Sequence, residues 1–189
     1  MPSPIGHVLA GAAVAYAGDA IDRRRSPFGL IATCALLGAV ADLDLLLPRY
    51  HRSFTHSLTA VAFIFIVAAA VTGEVSLRHH IGRWRIALVC ACAYATHLLL
   101  DWLGADAYPP RGLQILWPFS HEWFISGIDF FRQTARYELF TPPIIKKNFL
   151  AIVQELAILG PVVLALWLVR VKALAGLASE VARRDHAPQ

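Results

Sequence analysis

Residues 28–57 read FGLIATCALLGAVADLDLLLPRYHRSFTHS. Phe28 to Leu47 form an apolar run of the length that crosses a bilayer, about 20 residues, and Pro48 stops it. Asp42 and Asp44 lie in its last turns, while His51 and His56 stand just before the next apolar run opens at Ser57. Carboxylates and imidazoles beside greasy helices are costly unless something binds them. The stretch therefore predicts two membrane helices with a divalent metal held where their ends meet.

The composition of the whole chain points the same way. Of its 189 residues 57% are hydrophobic, and the mean hydropathy of +0.55 is too apolar for an ordinary soluble domain. A net charge of +4 raises the question of nucleic acid. The basic residues answer it, because they stand in short clusters between apolar runs: Arg23 to Arg25, Arg78 to Arg85, Lys146 with Lys147, and Arg183 with Arg184. That is how membrane flanks are built, and no nucleic-acid partner is expected. Cys34, Cys90 and Cys92 all lie inside apolar runs and read as buried packing residues, not as a disulfide framework.

Outward from residues 28–57, the chain divides into five apolar segments and predicts an all-α, integral membrane helical bundle of about five helices. Ile5 to Ala20 is short for a span and carries His7, Gly11 and Gly18. No basic stretch precedes it, so it does not read as a cleaved signal peptide. Phe28 to Leu47 is the second segment and Ser57 to Gly73 the third. A polar link, Glu74 to Arg85, leads to the fourth, Ile86 to Leu103, with His97 and Asp101 near its end. The fifth, Phe149 to Val169, contains Glu155 and Pro161. Between the fourth and fifth lies a long connection, Gly104 to Asn148, rich in proline and in aromatic residues such as Trp117, Trp123, Phe130 and Phe131. Such segments are interfacial pieces or active-site covers. Residues 1–189 are read as one membrane-embedded domain, with 171–189 a flexible basic tail.

If all five segments cross, His7, Asp42, Asp44, His51, His56, His97 and Asp101 fall on one face of the membrane, together with the aromatic connection. Ten Lys and Arg residues lie on the opposite side against seven on this one. The positive-inside rule then faces the cluster away from the cytoplasm.

His97 and Asp101 are the best local pair, since residues at i and i+4 share a helix face and can reach one ion. Asp42 and Asp44 diverge on an α-helix. Either the segment unwinds there, or one aspartate binds metal while the other orients a ligand. His51 and His56 are expected on a loop that turns both inwards, with Ser53 or Thr55 capping the third helix. Arg52 is a candidate phosphate clamp or a membrane-flank charge. Glu155 costs roughly 2–4 kcal/mol in an apolar run unless compensated, as a further ligand or base or in an ion pair. Four histidines and three aspartates exceed what one tetrahedral zinc needs and suit two ions. Nitrogen and oxygen donors without thiolate fit zinc, with manganese or iron as alternatives. Two neighbouring ions activate water and hold a phosphoryl group, so hydrolysis of a phosphoester or other ester is the expected reaction, with Asp44 or His51 moving the proton.

These residues also carry a family likeness. Gly6-His7 with Gly11, Ala-Asp-Leu-Asp at 41–44, His-Arg-Ser-Phe-Thr-His-Ser at 51–57, Tyr-Ala-Thr-His-Leu-Leu-Leu-Asp at 94–101 and Leu-Gln-Ile-Leu-Trp-Pro-Phe at 113–119 stand in order and spacing. Over about residues 5–120 the chain resembles the YdjM-like family of membrane-bound metal-dependent hydrolases, the LexA-regulated inner-membrane protein group. Ala41 replaces the family's usual proline, and Ser53 stands where glycine is common. The resemblance implies a multi-pass protein of the inner (cytoplasmic) membrane with His7, Asp42, Asp44, His51, His56, His97 and Asp101 at its metal site. It implies no substrate.

Other enzymes lack their parts here. There is no His-Glu-x-x-His for a zinc protease and no Gly-x-Ser-x-Gly elbow. The Arg-x5-His-x3-Asp pattern of phosphohistidine lipid phosphatases fails because Ala91 stands where the arginine belongs. The alternative to a hydrolase is a membrane metal-binding or transport protein without chemistry, although a carrier puts its polar groups at mid-membrane and shows repeats. Membrane lipids and an amphipathic, lipid-like substrate are the partners this reading expects, and it sets no oligomeric state.

Overall fold

The computed structural model describes residues 1–22, 25–46 and 51–185, with side chains described up to residue 176. Pro48, the flank residues Arg23, Arg24 and Arg49, the side chains of Arg183 and Arg184, and tail residues 186–189 lie outside the described residues. Six α-helices run α1 (Pro4–Asp22), α2 (Phe28–Ala39), α3 (Leu58–Val71), α4 (Gly73–His79), α5 (Arg83–Leu103) and α6 (Pro142–Asp185). Among the described residues there are no strands, only the isolated bridges Gly104–Phe131 and Leu113–Phe124. α1 packs against α2, α5 and α6, while α5 also holds α2 and α3.

Three stretches are long and apolar enough to cross a membrane: Phe28–Leu46, Arg83–Leu103 and Pro142–Gly176. The pair α3 and α4, bent by 61°, makes a fourth if it is one broken span. α1 does not meet that measure, so length and composition do not support the condition that all five segments cross. What α1 buries explains its place instead. Its inward positions are Gly6, His7, Ala10, Gly11, Ala13, Ala15 and Asp19, small residues that let neighbouring backbones come close. A Cβ on Gly11 would overlap the Cys34 carbonyl, and one on Gly38 the His7 carbonyl. The two glycines thus set the α1–α2 spacing.

Three other boundaries differ from the sequence reading. α6 starts at Pro142 and continues to Asp185, so 171–185 is helix where a flexible tail was expected. The expected polar link contains the short helix α4. Cys92 is exposed, whereas Cys34 and Cys90 are buried.

Polar fixings hold α1 at both ends. At one end, buried Asp19 accepts from the Ser26 backbone N–H (3.0 Å), Arg85 (3.2 Å) and Arg170 (2.7 Å), tying α1 to α5 and α6. At the other, Glu155 of α6 accepts from the Ser3 backbone N–H (2.6 Å) and the Ser3 hydroxyl. Glu155 is therefore compensated by Ser3, just ahead of α1, and among the described residues it has no ion-pair partner and stands outside the group of candidate metal ligands.

Candidate metal centre

Four elements deliver the donors. α2 ceases to be α-helical after Ala39 and tightens into a 3-10 turn, Val40–Leu46, in which three residues complete a revolution. The segment tightens where one reading had it unwind, and Asp42 and Asp44 meet different atoms of His56: Asp42 Oδ1 lies toward Nε2 and Asp44 Oδ2 toward Nδ1. A second 3-10 turn, Phe54–His56, carries His56 inwards just before α3. Ser57 caps α3 by accepting from the Ala60 N–H (3.2 Å), a role expected of Ser53 or Thr55. α5 supplies His97 and Asp101 one turn apart, and α1 supplies His7.

Asp42, His56, His97 and Asp101 form one group whose ligand atoms all lie within 4.8 Å of one another. His56 Nε2 and His97 Nε2 are 3.0 Å apart. Asp101 Oδ2 stands 3.4 Å from the first and 3.3 Å from the second. Asp42 Oδ1 is 3.9 and 3.8 Å from the same nitrogens. Tetrahedral zinc with bonds of 2.0–2.1 Å separates its donors by about 3.3 Å. His56, His97 and Asp101 have those dimensions, and Asp42 stands about half an ångström further out. The group also has the right deficit, because buried Asp42 Oδ1 and both Asp101 oxygens have no hydrogen-bond partner among the described residues, and orphaned buried acceptors are costly.

The outer contacts prepare the imidazoles for an ion. His97 Nδ1 donates to the Gly38 carbonyl (2.8 Å), which leaves Nε2 free to ligate. His56 Nδ1 faces Asp44 Oδ2 at 3.1 Å, the carboxylate–histidine arrangement that orients metal ligands. Asp44 itself is fully engaged. Its Oδ1 accepts from His51 Nδ1 (2.5 Å), and its Oδ2 from the Arg52 backbone N–H (3.0 Å) and the Thr55 hydroxyl (2.5 Å). Asp44 and His51, expected as ligands, thus sit one layer behind His56. His7 is also outside the group of four: its ring stacks on His97 with centroids 3.8 Å apart, and Nε2 lies 3.4 Å from Asp101 Oδ1. Neither His7 nitrogen has a hydrogen-bond partner among the described residues.

Arg52 adopts the left-handed conformation (φ 65°), which aims its N–H at Asp44. Its guanidinium grips Asp106 in the connection with two bonds, 2.6 and 3.2 Å, and so binds the aromatic cover to the site. That cover is further seated by the Gln114 N–H on the Arg52 carbonyl (3.0 Å) and the Leu58 N–H on the Ile115 carbonyl (2.9 Å). Asp106, Thr55 and Arg136, whose guanidinium meets His51 Nε2, were not legible as site residues. Arg136 lies well beyond the motifs in sequence, Asp106 stands between two of them, and no periodicity marks either.

Burial alone would depress the pKa of His56, but the Asp101 and Asp44 carboxylates beside it prevail and raise it to about 9. The metal-free protein therefore keeps His56 protonated at neutral pH. The stability this gives is full below the ordinary histidine pKa and is lost as pH rises through about 9. An ion must displace that proton. About one proton should be released per ion bound at pH 7.5, and affinity should climb with pH until about 9. Calorimetry in two buffers of different ionisation enthalpy checks this, and release of none would remove His56 from the ligands.

No curated protein and no solved structure matches the chain significantly. The family model of the YdjM inner membrane protein does match, and it runs from residue 1 to 178. That span takes in α6 and the cover as well as the motif-bearing helices, well past the limit near residue 120 that the motifs alone set. With a match of that extent, this membrane protein belongs to the YdjM inner membrane protein family.

Proposed function

We propose that the protein is a metal-dependent hydrolase acting at the membrane surface on a phosphoester, or another ester, of an amphipathic substrate. The observation that supports this most is the convergence of Asp42, His56, His97 and Asp101 with carboxylate oxygens that nothing else satisfies. Zinc suits this nitrogen and oxygen set, with manganese or iron the next choices. A second ion would draw on His7 and on Asp101 Oδ1, which face each other without hydrogen-bond partners. A divalent ion in this group supplies a Lewis acid that acidifies water and polarises an ester oxygen.

The chain's own groups do the rest. Asp44 holds the proton of His51 on Nδ1, so His51 Nε2 is the nitrogen left to accept a proton in the cleft. The His51 ring is 5.5 Å from that of His56, one imidazole away from the donors. Arg52, paired with Asp106, keeps the cover seated and donates to His51 Nε2 (3.3 Å). If α1 crosses together with the other segments, the count of flanking basic residues supports a site facing away from the cytoplasm.

A structural ion is the second reading, favoured by the complete burial of His56, His97 and Asp101. Turnover separates the two. The detergent-purified protein loaded with zinc should release phosphate from short-chain phosphatidic acid, stop when stripped by a chelator, and recover with zinc. Asp44→Asn at saturating zinc should keep its ion and lose roughly 10- to 100-fold in rate. Bound zinc with no hydrolysis of phosphate or carboxylic esters would leave the structural ion.

A further inference from the structure

We propose that Arg136 is the anion-binding residue of a substrate cleft beside the metal group, and that its ligand is a phosphate monoester. The cleft is a cavity of about 290 Å³ lined among others by His51, Arg52, Tyr108, Trp123, Arg136 and Tyr137. Two guanidiniums reach it, and they are not equivalent. That of Arg52 is neutralised: both its terminal nitrogens bond Asp106, and Nη1 also donates to the Pro110 carbonyl (3.3 Å). Asp106 is fixed in turn by the Gly112 N–H (2.9 Å) and the Tyr108 N–H (3.2 Å). The expectation that Arg52 clamps phosphate therefore passes to its neighbour.

Arg136 has no carboxylate partner among the described residues. Its Nη1 meets His51 Nε2, and its Nη2 lies 3.2 Å from the Met1 sulfur. An imidazole nitrogen and a thioether are weak recipients for a full charge. An anion in the cleft would gain that charge, and a planar guanidinium holds phosphate with two parallel bonds. The exchange also takes one of two guanidiniums off His51 Nε2, the nitrogen that the proposed function needs as proton acceptor, and leaves only the longer Arg52 Nε contact of 3.3 Å. The cavity is at the small end for ligand sites, which run about 300–1,000 Å³, so it admits a head group and not a whole lipid. Part-exposed Tyr108 and Trp123 give it the walls of a membrane–water interface. A phospholipid head and a soluble phosphate ester present the same chemistry there.

The word substrate rests on the hydrolase reading, but the cleft and its charge do not. The full chain in detergent, both stripped of metal and loaded with zinc, would be titrated with inorganic phosphate and glycerol 3-phosphate, and separately with micelles containing phosphatidic acid. Arg136→Gln should weaken phosphate binding about tenfold or more, and Arg136→Lys less. Arg132→Gln, in the basic cavity next to α6, should change nothing, and zinc content should equal the wild type's throughout. Tighter binding of phosphatidic acid than of glycerol 3-phosphate assigns the ligand to the membrane, and equal affinities assign it to water. Wild-type affinity in Arg136→Gln, or no wild-type binding in any arm, overturns the proposal and leaves the metal reading intact. Arg136-dependent binding in a protein that takes neither zinc, manganese nor iron supports the cleft and removes the hydrolase.

Discussion

Asp101→Asn should lower zinc affinity by about 100-fold or more while the chain still folds. Four-ligand zinc sites are worth about 10–16 kcal/mol, so one charged ligand in four carries about 3 kcal/mol, a factor of roughly 100. Asp101 bridges all three histidines at the centre: one oxygen lies 3.4 and 3.3 Å from His56 and His97, and the other 3.4 Å from His7. The amide keeps the shape but offers one acceptor and no charge, and its NH2 group would meet an imidazole nitrogen. The same change removes the first of the two carboxylates that hold the His56 pKa near 9, so in the metal-free variant burial should pull that pKa down. Competition with a chromophoric chelator measures the first effect. A thermal midpoint on the metal-free form shows that the fold survives, and unaltered affinity would exclude Asp101 as a ligand.

Gly38→Ala should cost about 3 kcal/mol of stability and most of the metal affinity together. The new methyl group meets the His7 carbonyl, which is backbone and cannot swing away. Relief comes only by separating α1 from α2, and overpacking of this kind costs about 1–3 kcal/mol or more. Separation also withdraws His7 from Asp101 and moves the Gly38 carbonyl that fixes His97 Nδ1. Gly29→Ala in the same helix is the control, since nothing lies within 4 Å of its Cβ position. It should be neutral or slightly stabilising. Unfolding in detergent and zinc retention read both effects. A stable, zinc-replete Gly38→Ala protein would mean that the glycine contact is not what spaces the helices.

The contrast between donors and cover shows what a sequence of this kind carries. His97 and Asp101 are legible because helical spacing puts them on one face, and the apolar runs place the remaining motif residues near the same end. The division of labour is not legible. That Asp42 belongs to the donor group while Asp44 stands behind His56 depends on a change from α to 3-10 winding inside the segment, and Gly38 just before it does not by itself announce that change. The Arg52–Asp106 and His51–Arg136 contacts join residues 54 and 85 positions apart through a connection with no regular period. Glu155 was recognised as needing compensation, but its partner Ser3 is 152 residues away.

The order of the elements along the chain has a meaning for how the centre is made. Every donor, His7 included, lies between residues 7 and 101, whereas the cover, Arg136 and the Glu155 fixing all come later. A ribosome adding roughly 5–20 residues per second needs several seconds to supply them. During synthesis every residue of the donor group is thus made before the cover, so an ion, if the group holds one, can be captured before closure. The finished protein would then not need to open in order to be filled.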